Sequence, residues 1–231
     1  DVTTAGGFQT DDDADLTVTA QFTQDGAGHS AIGADITSTN AGISFANNLT
    51  LTGTDAITIQ TGEGADDDFS VGGALTASTI PSLTIDAGAL GDITVTSAAN
   101  LGAGDLTITD GAVVQFGSSL NVGVFTQSDG STSTTLVGAV STAGNFTFSG
   151  QALTLETGNN RIGGAMSVTN AGVFKTLDVA DLTVTNNFEQ LGAGSVTLGN
   201  DVTSTTGLVT FSKAVTLDST DLITITSGEG S

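Results

Sequence analysis

The amino-acid sequence predicts an all-β solenoid whose coils each contain about 20 residues. Three observations support this fold class. Short phrases that alternate aliphatic residues with Thr occur throughout, the chain repeats itself after 166 positions, and no stretch sustains the apolar spacing of a helix. Each coil is expected to add parallel strands to two or three stacked sheets, with Leu, Ile, Val and Phe inside and Thr, Ser and Asp outside.

The alternating phrases predict the strands. The phrase that begins at Leu16 reads Leu-Thr-Val-Thr, so Leu16 and Val18 lie on one face of a strand and the Thr residues on the other. Thr fits the outer face of a strand because its branched β-carbon suits the pleat. Related phrases begin at Ile36 and Ile57, at steps of 20 and 21 residues. Gly, Asn, Asp and Ser separate the phrases, which predicts tight corners between short strands.

An internal repeat defines the predicted domain organisation. Residues 1–65 overlie 167–231 without a gap, with about half of the positions identical. A degenerate copy lies within about 105–166, where the phrase from Leu120 matches the one from Leu16 after deletion of one residue. We therefore expect 1–231 to form a single continuous solenoid of about ten to twelve coils, roughly 50 to 60 Å long. Because both ends fall inside the repeat, we expect a processed product or an excerpt of a longer secreted array.

The charge balance restricts the partners. The chain has 25 Asp and Glu against 3 Lys and Arg, a formal net charge of −22. This balance argues against nucleic acid and against anionic membrane surfaces, since both attract clustered Lys and Arg. The sequence has no Cys, which excludes disulfides and thiolate metal sites. No run of about 20 apolar residues is present, so insertion into a membrane as a helix is not expected.

Several longer phrases carry a resemblance to a known class of proteins. NAGISFANNLTLTG from Asn40, PSLTIDAGALGDITVT from Pro81 and TGLVTFSKAVTLDS from Thr206 resemble the repeat arrays of large bacterial surface proteins of the filamentous haemagglutinin and autotransporter adhesin type. The resemblance covers nearly the whole chain and is compositional and periodic. It implies a right-handed parallel β-helix, secretion to the extracellular cell surface, and a role as a stalk or adhesive fibre.

Two acidic runs are the candidate metal sites. Carboxylates one residue apart can share a hard cation, which makes Asp11, Asp13, Asp66 and Asp68 candidate calcium ligands. Their spacing matches neither an EF-hand loop nor the glycine-rich nonapeptide repeat that binds calcium, so a solvated acidic loop is the alternative interpretation. No other cofactor is expected.

The sequence has few basic residues of the types that enzymes use for catalysis. His29 is the only histidine and is expected to lie on the surface, and the only cations are Arg161, Lys175 and Lys213. No Trp or Tyr is available to stack on a sugar, although other β-helices act on polysaccharides. We therefore expect a protein without enzymatic activity.

The predicted function is structural, as a rigid stalk, spacer or fibre-forming segment of a cell-surface adhesin. Its expected partners are flanking repeats of the same protein or neighbouring copies, and end-to-end stacking of copies is one of the two ways to cover the strand edges at the ends. Three alternatives remain open at this point. They are an array of calcium-stabilised β-sandwich modules of about 80 residues, an ice-binding solenoid that presents Thr in a ladder, and a polysaccharide-binding solenoid.

Overall fold

Three parallel sheets run the length of the molecule in a computed structural model that describes residues 3–228. Each coil adds one strand to each sheet, and every strand pairs in parallel with the strand three positions along the chain. The predicted all-β solenoid is therefore confirmed. The β-sandwich alternative is wrong, because a sandwich module needs antiparallel pairs within itself. Among residues 3–228 there is no helix long and apolar enough to span a bilayer.

The described residues contain thirty-one strands, numbered in chain order. Sheet I contains eleven strands: β1 Phe8–Gln9, β4 Ser30–Ile32, β7 Leu49–Leu51, β10 Leu75–Ala77, β13 Ala99–Asn100, β16 Leu120–Val122, β19 Val140–Thr142, β22 Asn160–Ile162, β25 Leu182–Val184, β28 Val202–Ser204 and β31 Ile225–Thr226. Sheet II contains ten: β2 Leu16–Val18, β5 Ile36–Ser38, β8 Ile57–Gln60, β11 Ser82–Asp86, β14 Asp105–Asp110, β17 Phe125–Gln127, β20 Phe146–Gly150, β23 Met166–Asn170, β26 Phe188–Gln190 and β29 Val209–Phe211. Sheet III contains ten: β3 Phe22–Gln24, β6 Ile43–Phe45, β9 Phe69–Val71, β12 Ile93–Val95, β15 Val113–Phe116, β18 Ser133–Leu136, β21 Leu153–Thr157, β24 Phe174–Val179, β27 Val196–Leu198 and β30 Val215–Leu217.

The coils differ in length because the corners differ. Leu106 pairs with Phe125 in the next coil, 19 residues later, whereas Leu49 pairs with Leu75, 26 residues later. The longest coils include the acidic corner 61–68. The described residues make about ten coils, which is the lower end of the predicted range.

The core is a set of stacked side-chain columns. In sheet III, Ile43 pairs with Phe69, Phe69 with Ile93, and Ile93 with Val114, and all four side chains are fully buried. Burying one such side chain stabilises a fold by about 1.5–3 kcal/mol. One continuous apolar cluster runs from Phe22 to Val202.

The two copies of the sequence repeat lie on different sides of the solenoid. Leu16 lies in β2 of sheet II, whereas its equivalent Leu182 lies in β25 of sheet I. The two strands are 23 strands apart, which is not a multiple of three, so the second copy is displaced by one sheet. Leu120 of the degenerate copy lies in β16 and therefore also in sheet I. All three sides accept the same phrase because each needs aliphatic residues inside and a polar residue outside.

Glycine is required where corners of successive coils almost touch. A β-carbon at Gly194 would overlap the carbonyl oxygen of Gly172 in the preceding coil. A β-carbon at Gly28 would overlap the carbonyl oxygen of Gly6 in the same way. These are equivalent glycine pairs of the two repeat copies, so this corner is reproduced on both sides of the solenoid.

Candidate functional site

The four candidate calcium ligands lie at two separate corners. Asp11 and Asp13 are exposed between β1 and β2, and Asp66 is exposed between β8 and β9. Asp68 is half-buried at the second corner, where its carboxylate accepts a hydrogen bond from the backbone N–H of Asp92 at 2.8 Å. Within residues 3–228 no group of three or more His, Cys, Asp or Glu side chains is arranged to hold a metal ion. The calcium site remains a prediction.

Acidic and amide side chains at strand starts have a structural role that the sequence analysis missed. Each accepts a hydrogen bond from a backbone N–H in the next coil, at distances from 2.6 to 3.3 Å. We call this set the strand-start acceptors. Its members are Asp15, Asp35, Asn48, Asp68, Asp92, Asp105, Asn145, Asn187 and Asp201. An Asp or Asn directly before the first inward apolar residue of a strand is the sequence signal that points to them.

These contacts explain part of the acidity of the chain. Corner N–H groups are not all reached by the strand ladders, and a buried N–H group without an acceptor is costly. Six of the nine strand-start acceptors are Asp, so their carboxylates satisfy the backbone between coils. A high count of acidic residues is therefore weak evidence for cation binding in this fold.

The surroundings of Asp110 disfavour the charged form of its carboxyl group. Partial burial raises the pKa of Asp110 above its ordinary value, and the neighbouring carboxylates of Asp129 and Asp86 act in the same direction. A hydrogen bond from the backbone N–H of Gly111 opposes the shift. Asp86 of β11 and Asp110 of β14 pair just after a register shift that follows Ile85. The Asp110 carboxyl thus takes up a proton more readily than an isolated Asp.

A shallow polar groove of about 400 Å³ follows the corner between sheets II and III. The side chains that line it include Asp129, Ser131, Gln151, Thr169 and Asn170. Asp129 is the only titratable side chain in the lining, so the groove offers neither a pair of carboxylates nor a base with an orienting partner. Its lining offers hydrogen-bonding groups and one carboxylate.

The remaining candidate residues are dispersed. His29 is exposed at the corner between β3 and β4, as expected. Arg161 is exposed on the outer face of sheet I, and Lys213 is exposed at the corner between β29 and β30. Lys175 makes the single ion pair recorded within the described residues, with Asp218 at 3.6 Å. The four side chains do not form a common site.

Sheet II carries an in-register ladder of Thr on its outer face. The members lie in five consecutive coils: Thr58, Thr84, Thr107, Thr126 and Thr147. Neighbouring strands of a sheet are about 4.8 Å apart, so the hydroxyl groups repeat at that spacing. Each strand supplies one Thr to the file, which is consistent with Thr as the preferred outward residue of a strand.

The last coil exposes apolar side chains that belong to the core elsewhere. Leu217 is 59% exposed and Ile225 is 44% exposed. Their repeat equivalents, Leu51 and Ile59, are fully buried because another coil covers them. The last layer among the described residues is therefore an incomplete core layer.

Comparison with protein-family models, curated proteins and solved structures finds no match to this chain. The solenoid fold is therefore supported by the parallel pairing of strands in successive coils and by no relative. The resemblance to bacterial adhesin repeats stays a prediction.

Proposed function

We propose that the chain is a non-enzymatic structural protein, a rigid spacer or stalk segment of a bacterial adhesin that acts outside the cell at its surface. The observation that carries the proposal is the continuity of the three sheets. Each column of strands continues from the first coil to the last without a missing strand in residues 3–228. A stack of this kind fixes the distance between its ends, which is what a spacer requires.

Three further observations support a passive role. The polar groove has one titratable side chain, so it lacks the paired groups that acid–base or nucleophilic chemistry needs. The outer faces present Thr, Ser and Asn at the centre of most strands, and such short polar side chains keep a sheet surface soluble. The net charge of −22 discourages lateral association between rods.

Single-molecule FRET tests the spacer function. Thr17 and Thr210 lie in β2 and β29, the first and last strands of sheet II, and the chain has no Cys that would compete with introduced labels. Dyes on Thr17→Cys and Thr210→Cys should report one narrow distance of about 43 Å, nine strand spacings. The distance should be the same in calcium and in a chelator. A broad distribution, or a length that changes on chelation, would contradict a rigid spacer.

The Thr ladder of sheet II favours a second candidate function, binding to the regular surface of ice. Hydroxyl groups spaced at about 4.8 Å form a one-dimensional lattice along the rod. Thermal hysteresis of the purified chain tests this candidate, with Thr107→Lys at the centre of the ladder and Thr203→Lys on sheet I as the matched control. Hysteresis that only Thr107→Lys abolishes supports ice binding, and its absence in the parent chain contradicts it.

A further inference from the structure

We propose that Asn48 and Asn145 are attachment sites for N-linked sugars, bonded through the side-chain nitrogen Nδ2 of each residue. Both residues begin an Asn-x-Thr motif, which is the acceptor sequence for N-linked glycosylation. The motifs read Asn-Leu-Thr and Asn-Phe-Thr, and no other Asn of the sequence begins an Asn-x-Ser or Asn-x-Thr motif. The inference goes beyond the spacer function and does not depend on it.

The place of each motif in the fold decides whether it can accept a sugar, because three residues alone are a short signal. Asn48 and Asn145 belong to the strand-start acceptors, and both are exposed at corners directly before β7 and β20. A bulky, hydrated sugar needs such a surface position. Asn160 and Asn170 show the opposite case, since both are 1% exposed and their Nδ2 atoms donate hydrogen bonds to backbone carbonyls.

Hydrogen bonds fix the orientation of the two amide groups. The side-chain oxygen of Asn48 accepts a hydrogen bond from the backbone N–H of Ala74 in the next coil, and that of Asn145 accepts one from Ala165, both at 2.9 Å. A backbone N–H needs an acceptor, so the oxygen occupies that branch of the planar amide and Nδ2 occupies the other branch. Neither Nδ2 donates a hydrogen bond to a protein group within residues 3–228.

This orientation suits the chemistry of attachment. Nδ2 forms a bond to the anomeric carbon of a sugar that is activated by a diphosphate leaving group. The bond between that carbon and the diphosphate breaks, the diphosphate keeps the electron pair, and one proton of Nδ2 passes to a base of the transferase. The amide oxygen is unchanged in the product, so the hydrogen bonds from Ala74 and Ala165 are retained after attachment.

The Thr of each motif lies on the same side of its strand as the Asn. Residues i and i+2 of a strand face the same way, so Thr50 faces outward with Asn48 while Leu49 is buried. The strand-start acceptor Asn187 shows how close the two positions are. Its Nδ2 lies 3.5 Å from Oε1 of Glu189, two residues later. In the two motifs a Thr hydroxyl therefore lies on the side of the nitrogen that takes the sugar.

The corner at Asn187 has the same geometry without the motif. Its side-chain oxygen accepts a hydrogen bond from the backbone N–H of Leu208 at 3.0 Å. At all three corners a Gly of the next coil leaves room for the Asn oxygen, and a β-carbon there would overlap it: Gly73, Gly164 and Gly207. Asn187 is exposed like the other two, but Glu189 stands where the motif requires Thr. It is the control that the chain itself supplies.

Mass spectrometry of the chain isolated from the cells that produce it tests the proposal. Electron-transfer fragmentation of its peptides keeps a sugar bonded to its Asn and so locates it. We expect sugar on Asn48 and Asn145 and none on Asn187. An unmodified Asn48 or Asn145 would overturn the assignment of that site, while the FRET distance would still report on the spacer function. Sugar on Asn187 would overturn the role given to Thr.

Two variants produced in the same cells separate the motif from the exposure of the Asn. Thr50→Ala should lose the sugar at Asn48 and keep that at Asn145. Glu189→Thr completes the motif at the third corner and should add a sugar at Asn187. Circular dichroism checks that each variant is folded. Sugar that persists on Asn48 in Thr50→Ala, or no gain in Glu189→Thr, would overturn the conclusion that the corner geometry and the Thr together define the site.

Discussion

Residues 16–62 and 182–228 share one sequence pattern but occupy different positions in the solenoid. The aromatic pair Phe22–Phe45 has ring centroids 5.5 Å apart at 54°, and the equivalent pair Phe188–Phe211 has centroids 5.3 Å apart at 54°. The first pair lies in sheet III and the second in sheet II. Local packing is therefore reproduced although the side of the solenoid changes.

Burial differs between the same two regions. Phe45 is fully buried, whereas Phe211 is half-buried because no described coil follows it. The comparison separates two levels of structure. The phrase determines how one strand stacks on the next, whereas the strand count determines the side and the neighbouring coil determines the burial. In a repeat fold the stability of a coil accordingly depends on its neighbours.

The largest expected difference between the two regions is in the loss of stability when one ring of each aromatic pair is replaced by Ala. Phe45→Ala should lower the free energy of unfolding by about 3–5 kcal/mol, because it leaves a cavity in a covered layer. Phe211→Ala should cost less than half as much, since its ring is already partly solvated. Urea denaturation of both variants measures the contrast. Equal losses in the free energy of unfolding would contradict the conclusion that the stabilisation by each ring depends on the coil that covers it.

The corner glycines give the next effect. Gly194→Ala forces a β-carbon against the backbone of Gly172 and should cost about 1–3 kcal/mol in urea denaturation. Gly6→Ala is the control, because a β-carbon there meets no atom within 4 Å. If Gly194→Ala were as stable as the control, the corners of successive coils would be farther apart than described.

The strand-start acceptors are tested at Asp35, whose carboxylate accepts a hydrogen bond from the N–H of Thr58 at 2.7 Å. Asp35→Ala should destabilise the fold by about 1 kcal/mol by leaving that N–H without its acceptor. Asp35→Asn keeps the acceptor oxygen and removes the charge, so it should retain most of the stability. Thermal melting of both variants distinguishes the hydrogen bond from the charge. A larger loss in Asp35→Asn than in Asp35→Ala would count against this role.

Replacing Ser30 by the residue at the equivalent position of the second copy should slightly raise the free energy of unfolding. The hydroxyl of Ser30 and the side-chain oxygen of Gln24 are buried and have no recorded partner among the described residues. The equivalent of Ser30 in the second copy is Val196, which is fully buried. Ser30→Val should therefore stabilise the protein by about 1 kcal/mol, measured by urea denaturation. A loss of stability would mean that the buried space around residue 30 differs in shape from the space around Val196.

The smallest effect depends on pH. Because the pKa of Asp110 is raised in the folded state, ionisation of this group costs stability above that pKa. The cost disappears as the pH falls through the raised pKa towards the ordinary value of 3.8. Asp110→Asn should raise the Tm at pH 7 and leave it nearly unchanged at pH 3. Asp13→Asn makes the same change in net charge at an exposed site, and an equal rise there would assign the effect to net charge alone.

Much of the fold was accessible from the sequence because the outward Thr and inward aliphatic residues of a strand such as Leu182–Val184 reflect local demands. The side occupied by each copy was not accessible. It depends on how many strands lie between Val71 and Leu120, and the spacing of the repeat does not determine that number. The steps of 20 and 21 residues therefore predict the coil, but they do not predict on which of the three sheets a later copy of the repeat lies.

The candidate site was less accessible. The sequence predicts a cation site or a solvated loop at each acidic run, whereas the carboxylate of Asp68 accepts a hydrogen bond from the backbone of the next coil. That contact joins residues 24 positions apart, and it becomes visible only when the coils are stacked.

The distance between two sites on sheet II tests the solenoid most directly. Thr58 and Thr147 are 89 residues apart in sequence but only four strands apart in the sheet. Double electron–electron resonance between nitroxides on Thr58→Cys and Thr147→Cys should give a narrow distribution centred near 19 Å, four strand spacings. A distribution centred beyond about 30 Å, well outside four strand spacings, would contradict the stacked coils.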